Sequence, residues 1–172
     1  MDSLNRQSVE EFRKADKFPV IAVFENVRSA YNVGSLFRTA DAFKIQSVFL
    51  TGYTAQPPHK EIKKTALGAE DSVNWMHFNN AEEAILFLRN EGYRIYAAEQ
   101  TTDSISLETF DVTNEKVAVI FGNEVSGVEQ STIMLCDGSI EIPQFGTKHS
   151  LNIASAAAVV LWELIRSHIV KK

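Results

Sequence analysis

The stretch KVAVIFGNEVSGV, Lys116–Val128, decides the fold class. Its first half is an unbroken apolar run, rich in valine and bounded by Gly122, which is typical of a strand buried on both faces. Five further short runs have the same character: FPVIAVF, SVFLTG, VNWMHF, YRIYAA and GSIEIP. Helical patterns lie between most of these runs. We therefore predict an α/β fold with a mostly parallel sheet and helices on both faces.

The helical patterns have recognisable starts and stops. They are predicted at Val33–Phe43, at Glu61–Ala66, from a cap at Asn79 or Asn80 to Gly92, at Glu129–Leu135, and from Leu151 towards His168. The last of these is apolar nearly all round its first half and contains small residues, so it should be buried in the core or against a second subunit. Residues 1–18 are polar and predict an N-terminal helix or arm, and residues 19–172 form the main domain.

Composition excludes several classes of protein. The chain has 172 residues, and its longest apolar run is too short to span a bilayer. The polar N-terminus is unlike a secretory signal, so we expect a cytoplasmic location. One cysteine, Cys136, excludes an internal disulfide and a cysteine-rich zinc site, and it fits a small core residue. The four histidines are scattered, so no metal site is expected.

The net charge of -5 conceals an uneven distribution. Residues 25–64 contain six Lys or Arg against three Asp or Glu, and residues 142–172 contain four against one. The acidic residues concentrate in residues 70–141, with three Lys or Arg against fourteen Asp or Glu. Two positive segments therefore flank an acidic one, and either a basic patch for nucleic acid or an ordinary charged surface would explain them.

Three strand exits carry residues that point to a ligand, because ligands of open α/β sheets bind beyond the carboxyl ends of the strands. In the opening stretch, Gly122 and Gly127 bracket Asn123 and Glu124. Such a loop favours a close backbone approach and a carboxylate at the rim, although a plain strand-to-helix loop would look the same. The loop lacks the spacing of a dinucleotide fingerprint or a phosphate loop.

The exit after FPVIAVF continues as ENVRSAYNVGSLFRTA. Asn32 is a candidate helix cap, and Gly34 lets a backbone or a ligand approach the first turn. On a helical wheel Arg38 lies opposite the apolar stripe and points away from the core. Either a ligand contact or simple solvation accounts for this arginine.

The third exit follows GSIEIP and supplies Lys148, His149, Ser150 and Asn152 to the start of the last helix. Ser150 is the natural cap of that helix. Asn152 has less structural reason to stand at the mouth of an alanine-rich helix, so it is a candidate site residue. His149 is a candidate base, but a histidine of the loop is the simpler interpretation because no Ser-His-Asp spacing accompanies it.

Together the three exits resemble the three motifs of the SpoU, or TrmH-like, RNA methyltransferases of the SPOUT superfamily. The motifs read N-x-G-x-x-x-R-T-A at Asn32–Ala40, F-G-N-E-x-x-G at Phe121–Gly127 and I-P-x-x-G-x-x-x-S-L-N at Ile142–Asn152. The third motif departs from the family pattern at one position: Gln144 occupies a position where the family often has a methionine.

The resemblance implies methylation of a ribose 2′-hydroxyl in tRNA or rRNA with S-adenosyl-L-methionine as cofactor. It also implies a homodimer, formed through the C-terminal helix, and a C-terminal trefoil knot. Two alternatives stay open. One is a dimeric protein of the same fold that binds RNA or the cofactor without turnover. The other is a Rossmann-like enzyme for another nucleotide, which would need an acidic residue after the second strand, and TGYTAQPPH has none.

The resemblance also suggests roles for individual residues. The catalytic set is Arg38, Asn32, Glu124, Ser150 and Asn152. The cofactor set is Gly122, Ile142, Leu151, Gln100, Thr101 and Gly127, and the RNA-binding set is Arg28, Arg38, Lys148, His149, Lys60, Lys63 and Lys64. Arg38 would act either as the base or as a clamp on the phosphate beside the target ribose, because a free guanidinium does not deprotonate.

Overall fold

The computed structural model of the chain describes residues 7–113, 115–147 and 150–170. The strands in these ranges are β1 (Phe18–Glu25), β2 (Ile45–Thr51), β3 (Trp75–Phe78), β4 (Arg94–Ala98), β5 (Ile105–Ser106), β6 (Val117–Phe121) and β7 (Gly138–Glu141). The α-helices are α1 (Val9–Lys14), α2 (Ala30–Ala42), α3 (Lys60–Ala66), α4 (Ala69–Ser72), α5 (Ala81–Asn90), α6 (Gln130–Leu135) and α7 (Ile153–Val170), and a 3-10 helix spans Leu107–Thr109.

The strands form one sheet in the order β3-β2-β1-β6-β4-β7-β5, and each neighbouring pair is parallel. The strand of the opening stretch, β6, is the central one, between β1 and β4. All five of its residues are buried, which explains the unbroken apolar run. The predicted α/β fold with a parallel sheet is confirmed.

Helices cover both faces of the sheet because the side chains of each strand alternate. In β1, Val20, Ala22 and Phe24 join one apolar cluster with residues of α2, α3 and α7. Ile21 and Val23 point the other way and join a second cluster with residues of α5. The two clusters are the two halves of the core.

All six predicted strands and all five predicted helices are present, but some boundaries and small elements differ. The helix predicted from Val33 begins at Ala30, because Ser29 rather than Asn32 caps it: the Ser29 hydroxyl accepts from the Asn32 N–H. The strand β5 and the helix α4 were not predicted. Both are too short, at two and four residues, for a periodic pattern to reveal them.

Gly34 serves the packing of α2 on α3. A Cβ at this position would lie 2.5 Å from the Ile62 carbonyl oxygen and 2.0 Å from Thr65 Oγ1. The close approach expected at Gly34 is therefore made by a neighbouring helix backbone.

The last helix, α7, is buried on one side and exposed on the other. Ala157, Leu161 and Leu164 pack into the core, whereas Val159 and Trp162 are 44% and 49% exposed. None of the helices in the described part of the chain is both long and apolar enough to cross a membrane.

Candidate active site

Four strand exits meet at one edge of the sheet. The strands β1, β6, β4 and β7 are direct neighbours and parallel, so their carboxyl ends lie side by side. The loops that leave them carry the three motif segments and the segment after β4. This edge is where open α/β sheets bind their ligands.

Glu124 connects the loop after β6 to the start of α2. Its Oε2 accepts a hydrogen bond from the Arg28 N–H at 2.9 Å, and its Oε1 accepts from the Ser29 N–H and from Asn32 Nδ2, each at 3.0 Å. Partial burial opposes ionisation of this carboxyl, but the hydrogen bonds from backbone N–H groups and from Asn32 outweigh it and lower the pKa of Glu124. The side chain is therefore an ionised carboxylate at neutral pH.

Asn152 brings the third motif to the same place. Its Nδ2 donates to Asn32 Oδ1 at 3.3 Å, and its Oδ1 accepts from the Ala154 N–H at 2.9 Å. Asn152 is thus the cap of α7, and the prediction that Ser150 caps this helix is wrong because α7 begins later, at Ile153. Glu124, Asn32 and Asn152, called the Glu124 cluster below, join all three motifs through side chains.

The loop between β6 and α6 is tightly closed. The N–H groups of Asn123 and Gly127 each donate to the other's carbonyl, at 3.0 and 2.9 Å. A Cβ on Gly122 would lie 2.1 Å from the Gly127 carbonyl carbon, and Gly127 itself has a φ of +71°. The expected close backbone approach is therefore present, and both glycines are needed for it.

A cleft of about 1120 Å³ lies beside this loop. It is bordered by the segment after β4, the loop after β6, and both ends of the segment between β7 and α7. All six residues of the predicted cofactor set line it, as do Glu124, Ser150 and Asn152 of the catalytic set. Contact between these residues and a cofactor stays a prediction.

Glu99 also lines the cleft and was missed by the sequence analysis. Its Oε1 accepts from the Gln100 N–H and its Oε2 from the Val128 N–H, both at 3.1 Å. A Cβ on Gly127 would lie 2.2 Å from the same Oε2. Glu99 therefore holds the loop after β6 against the end of β4. The signal available in the sequence was an acidic residue directly after the run YRIYAA.

A second missed carboxyl, Glu25, is buried at the end of β1. It accepts hydrogen bonds from the Glu129 N–H at 2.9 Å and from the Thr132 hydroxyl, and so caps α6 from another strand. Burial raises the pKa of Glu25, and these two hydrogen bonds act in the opposite direction. A charged residue at the end of an apolar strand was the available signal.

Arg38 lies outside the large cleft. It is exposed on α2, as the helical wheel predicted, and has no hydrogen bond or ion pair to another described residue. It lines a second cleft, of about 490 Å³, together with Lys64 of α3 and Ala158 of α7. Asn32 lies in the first turn of the same helix, about 9 Å away along the axis. The structure therefore unites the Glu124 cluster but places Arg38 at a neighbouring cleft.

The described residues of the predicted RNA-binding set are all exposed. Arg28 lies in the loop after β1, and Lys60, Lys63 and Lys64 lie on α3. Only Lys64 shares a cleft with Arg38. Lys148 and His149, the two remaining members, lie outside the described residues.

Two kinds of chemistry, by the Cys136 thiol and by a bound metal ion, find no support among the described residues. Burial is the main reason that the pKa of the Cys136 thiol rises to about 12, and the Glu25 and Asp137 carboxylates add to the effect. Such a thiol is inert at neutral pH. Among the described residues no group of three or more His, Cys, Asp or Glu side chains could hold a metal ion.

Comparison with known proteins gives a family match over most of the chain. The sequence profile of the SpoU rRNA Methylase family matches residues 19–162. The tRNA (guanosine(18)-2'-O)-methyltransferase of Thermus thermophilus is 30% identical, over 95% of this chain and 83% of that protein. The 23S rRNA (guanosine-2'-O-)-methyltransferase RlmB of Vibrio parahaemolyticus is 25% identical, over 98% and 68%.

Solved structures give the same result. The TrmH/SpoU tRNA modifying enzyme of A. aeolicus superposes with a TM-score of 0.80 at 25% identity, covering 92% of this chain and 79% of that one. The AdoMet-bound rRNA methyltransferase of Sinorhizobium meliloti has a TM-score of 0.82 at 27% identity, covering 92% of this chain and 60% of that one. The similarity in fold therefore extends over nearly the whole chain.

Proposed function

The chain belongs to the SpoU rRNA methylase family, and we propose that it transfers a methyl group from S-adenosylmethionine to a ribose 2′-hydroxyl of tRNA or rRNA. The observation that carries this proposal is the Glu124 cluster, in which side chains from all three motifs meet beside a large cleft. The cluster contains the polar groups needed to orient a substrate hydroxyl.

The large cleft fits the cofactor. Its volume of about 1120 Å³ is ample for a nucleoside joined to an amino acid, and Gly122 and Gly127 both line it. Gln100 and Thr101 border it after β4, and Ile142 and Leu151 border it after β7. S-adenosylmethionine supplies a methyl group that its sulfonium makes electrophilic, so a metal is not required.

The chemical difficulty lies in the ribose hydroxyl, which is a poor acid and must lose its proton as it attacks. Arg38 and Lys64 are two cations at one cleft, and a phosphate beside the target ribose is the natural ligand for such a pair. We propose that Arg38 holds this phosphate and thereby fixes the hydroxyl in line with the methyl group. Removal of the proton by Arg38 itself is the alternative role.

The Glu124 cluster positions the substrate. The Glu124 carboxylate holds the Arg28 and Ser29 N–H groups and Asn32 Nδ2, which fixes the loop that leads into α2 and hence the direction in which α2 presents Arg38. Asn152 braces Asn32 from the other side. Ser150, at the rim of the cleft, is proposed to contact the ribose.

We further propose a homodimer formed through α7. Its exposed side carries the apolar Val159, Trp162 and Ile169, and the Trp162 ring packs against Phe43 at 5.7 Å between centroids. Phe43 also lines the Arg38 cleft, so an interface on α7 would border that cleft. The trefoil knot, the division into an arm at residues 1–18 and a methyltransferase domain at residues 19–172, and a cytoplasmic location suited to RNA modification stay parts of the same proposal.

The proposal is tested with RNA from a strain that lacks the gene. Purified protein and radiolabelled S-adenosylmethionine should transfer label to tRNA or rRNA from that strain and much less to RNA from the parent, and nuclease digestion should return a 2′-O-methylated nucleotide. Stabilisation by S-adenosylhomocysteine without any transfer would support the non-catalytic alternative. Stabilisation by NAD or ATP instead would contradict the proposed cofactor.

A further inference from the structure

Tyr53 exposes most of its aromatic ring at the edge of the sheet that carries the active site. It follows β2, whose carboxyl end lies beside that of β1, and the residue is 63% exposed. No aromatic or cation–π contact with another described residue covers the ring. A large ring in this position leaves a flat surface free for a ligand.

The exposed ring is held in place at both ends. The Tyr53 N–H donates to Asn26 Oδ1 at 3.3 Å, and the Tyr53 phenol oxygen accepts from Asn123 Nδ2 at 2.8 Å. Asn123 Nδ2 also donates to the Asn26 carbonyl at 2.8 Å. The two asparagines thus bridge the loops after β1 and β6 and fix the direction of the ring.

The turn that presents Tyr53 is itself rigid. Gly52 has a φ of +63°, and a Cβ there would lie 1.9 Å from Asn26 Oδ1, so the turn requires glycine. On the other side Thr54 Oγ1 accepts from the Val27 N–H at 2.9 Å. The ring therefore loses little conformational entropy when a ligand stacks on it.

The residue that holds the phenol oxygen is the direct neighbour of Glu124. Asn123 and Glu124 belong to the same closed loop, and Glu124 holds the N–H of Arg28, whose side chain is exposed. Asn26, which accepts from the Tyr53 N–H, also donates to the Glu129 carboxylate at 2.7 Å, so the surroundings of the Tyr53 ring are polar. A ring in such surroundings suits a nucleobase, which offers an apolar face and polar edges, better than it suits an apolar protein surface.

We propose that the Tyr53 ring is a stacking site for an unpaired nucleobase of the RNA substrate, next to the nucleotide that is methylated. This inference rests on the proposed function. The phenol hydrogen is not used by the bond from Asn123, so it is free to donate to a base or ribose oxygen. The site selects for a single-stranded or looped segment, because only an unstacked base can cover the ring.

Methyl-transfer kinetics with RNA from the gene-deleted strain test the site. Tyr53→Phe keeps the ring and should stay within about threefold of the parent in kcat/KM for RNA. Tyr53→Leu should lose about tenfold to hundredfold, in line with the loss of one stacked base. Leu86→Ala is the matched control, since Leu86 is 62% exposed on α5 and away from the strand exits. It should behave as the parent does.

The outcomes separate this inference from the proposed function. If the parent protein methylates no RNA, the proposed function fails. If the parent is active and Tyr53→Leu is equally active, the stacking site alone is wrong. Affinity for S-adenosylhomocysteine, measured by calorimetry, should be the same in the parent and in Tyr53→Leu. A matching loss of cofactor affinity would indicate a structural role for Tyr53 and would contradict the proposal.

A fluorescence measurement observes the stacking directly. Tyr53→Trp keeps a flat ring, and RNA from the deleted strain should quench its emission beyond any change in the parent, whose two tryptophans are Trp75 and Trp162. Absence of additional quenching would overturn the proposal. A change that follows protein concentration without RNA would show that a second copy of the chain covers the ring, which would also overturn it.

Discussion

Asn32 and Glu124 are 92 residues apart in the chain, yet Asn32 Nδ2 donates a hydrogen bond to Glu124 Oε1 at 3.0 Å. The same carboxylate accepts two backbone N–H groups, from Arg28 and Ser29. All three donors need an acceptor, and only an ionised carboxylate offers acceptors on both of its oxygens. The charge of Glu124 is therefore what fixes the loop after β1 relative to the loop after β6.

Glu124→Gln should weaken this connection, because an amide nitrogen would face at least one of the donors. We expect the free energy of unfolding to fall by up to about 1 kcal/mol at pH 7, since water reaches the exposed side chain, and methyl transfer to fall at least tenfold. The difference in stability between parent and variant should be complete above pH 4.5, because the folded protein lowers the pKa of Glu124 below that value. It should disappear as the pH falls through the folded pKa.

Urea denaturation of both proteins from pH 3 to pH 7 checks this pH dependence. Glu10→Gln is a suitable control, because Glu10 is an exposed glutamate on α1, ahead of β1, and its side chain has no hydrogen bond or ion pair to another described residue. A stability difference at position 124 that grows towards acid pH would contradict the assigned direction.

Asn152 combines two tasks that substitutions can separate. Asn152→Asp keeps an oxygen acceptor for the Ala154 N–H and adds a negative charge at the start of α7, so stability should be retained. It loses the amide that donates to Asn32, so methyl transfer should fall by tenfold or more. Asn152→Ala loses both and should also be less stable by about 1 kcal/mol. Thermal unfolding and transfer rates of the two variants distinguish the capping role from the positioning role. Equal activity of Asn152→Asp and the parent would contradict the role of Asn152 in positioning Asn32.

Substitution by alanine should affect cofactor binding differently at Gly122 and at Gly127. At Gly122 the new Cβ would meet backbone atoms of Gly127 and Val128 at 2.1 Å, so the loop must move. At Gly127 it would meet the end of the Glu99 side chain, which can turn away, although the φ of +71° remains costly. Calorimetry with S-adenosylhomocysteine should thus find no binding for Gly122→Ala and weakened binding for Gly127→Ala. Adding Glu99→Ala should not rescue Gly122→Ala, because the clash there is with backbone atoms.

The sequence predicted the sheet well because buried parallel strands leave unbroken apolar runs. The run before Gly122 is the clearest case, and it became the central strand β6. Capping was predicted less well. Asn32 and Ser150 were predicted as the caps of α2 and α7, whereas Ser29 and Asn152 cap these helices in the structure. Several polar residues lie near the start of each helix, and tertiary contacts determine at which of them the helix begins.

Some residues of the candidate site were likewise predicted from the sequence, and others were missed. Glu124, Asn32 and Asn152 were predicted because their segments resemble the three motifs of the SpoU family, and the parallel sheet brings those segments to one edge. Glu25 and Glu99 were missed because each acts by accepting backbone N–H groups from a segment about 30 to 100 residues away. Such long-range partners leave no local pattern. The separation of Arg38 from the large cleft was equally invisible, because it depends on the direction of α2 in the folded chain.

Arg38→Ala should abolish methyl transfer and leave cofactor binding nearly unchanged, because Arg38 lines the second cleft and not the first. Folding should be unaffected, since the exposed side chain has no bond to another described residue. Calorimetry with S-adenosylhomocysteine and a transfer assay on the same preparation check both statements. Arg94→Ala is the control, since Arg94 is an exposed arginine at the opposite end of the sheet. Retained transfer by Arg38→Ala would eliminate both roles considered for this residue.

Val159→Glu tests the proposed dimer on the exposed side of α7. Val159 is 44% exposed in the single chain, so a glutamate there should leave the unfolding temperature of the isolated subunit nearly unchanged. In a two-fold interface each subunit would bring the same charge into an apolar contact, and the dimer should dissociate. Sedimentation equilibrium should then find a dimer for the parent, a monomer for Val159→Glu, and a dimer for the control Leu86→Glu on α5. Because α7 borders the Arg38 cleft through Ala158, methyl transfer should fall together with dimerisation. A parent protein that is monomeric and fully active would show that the site is complete within one chain.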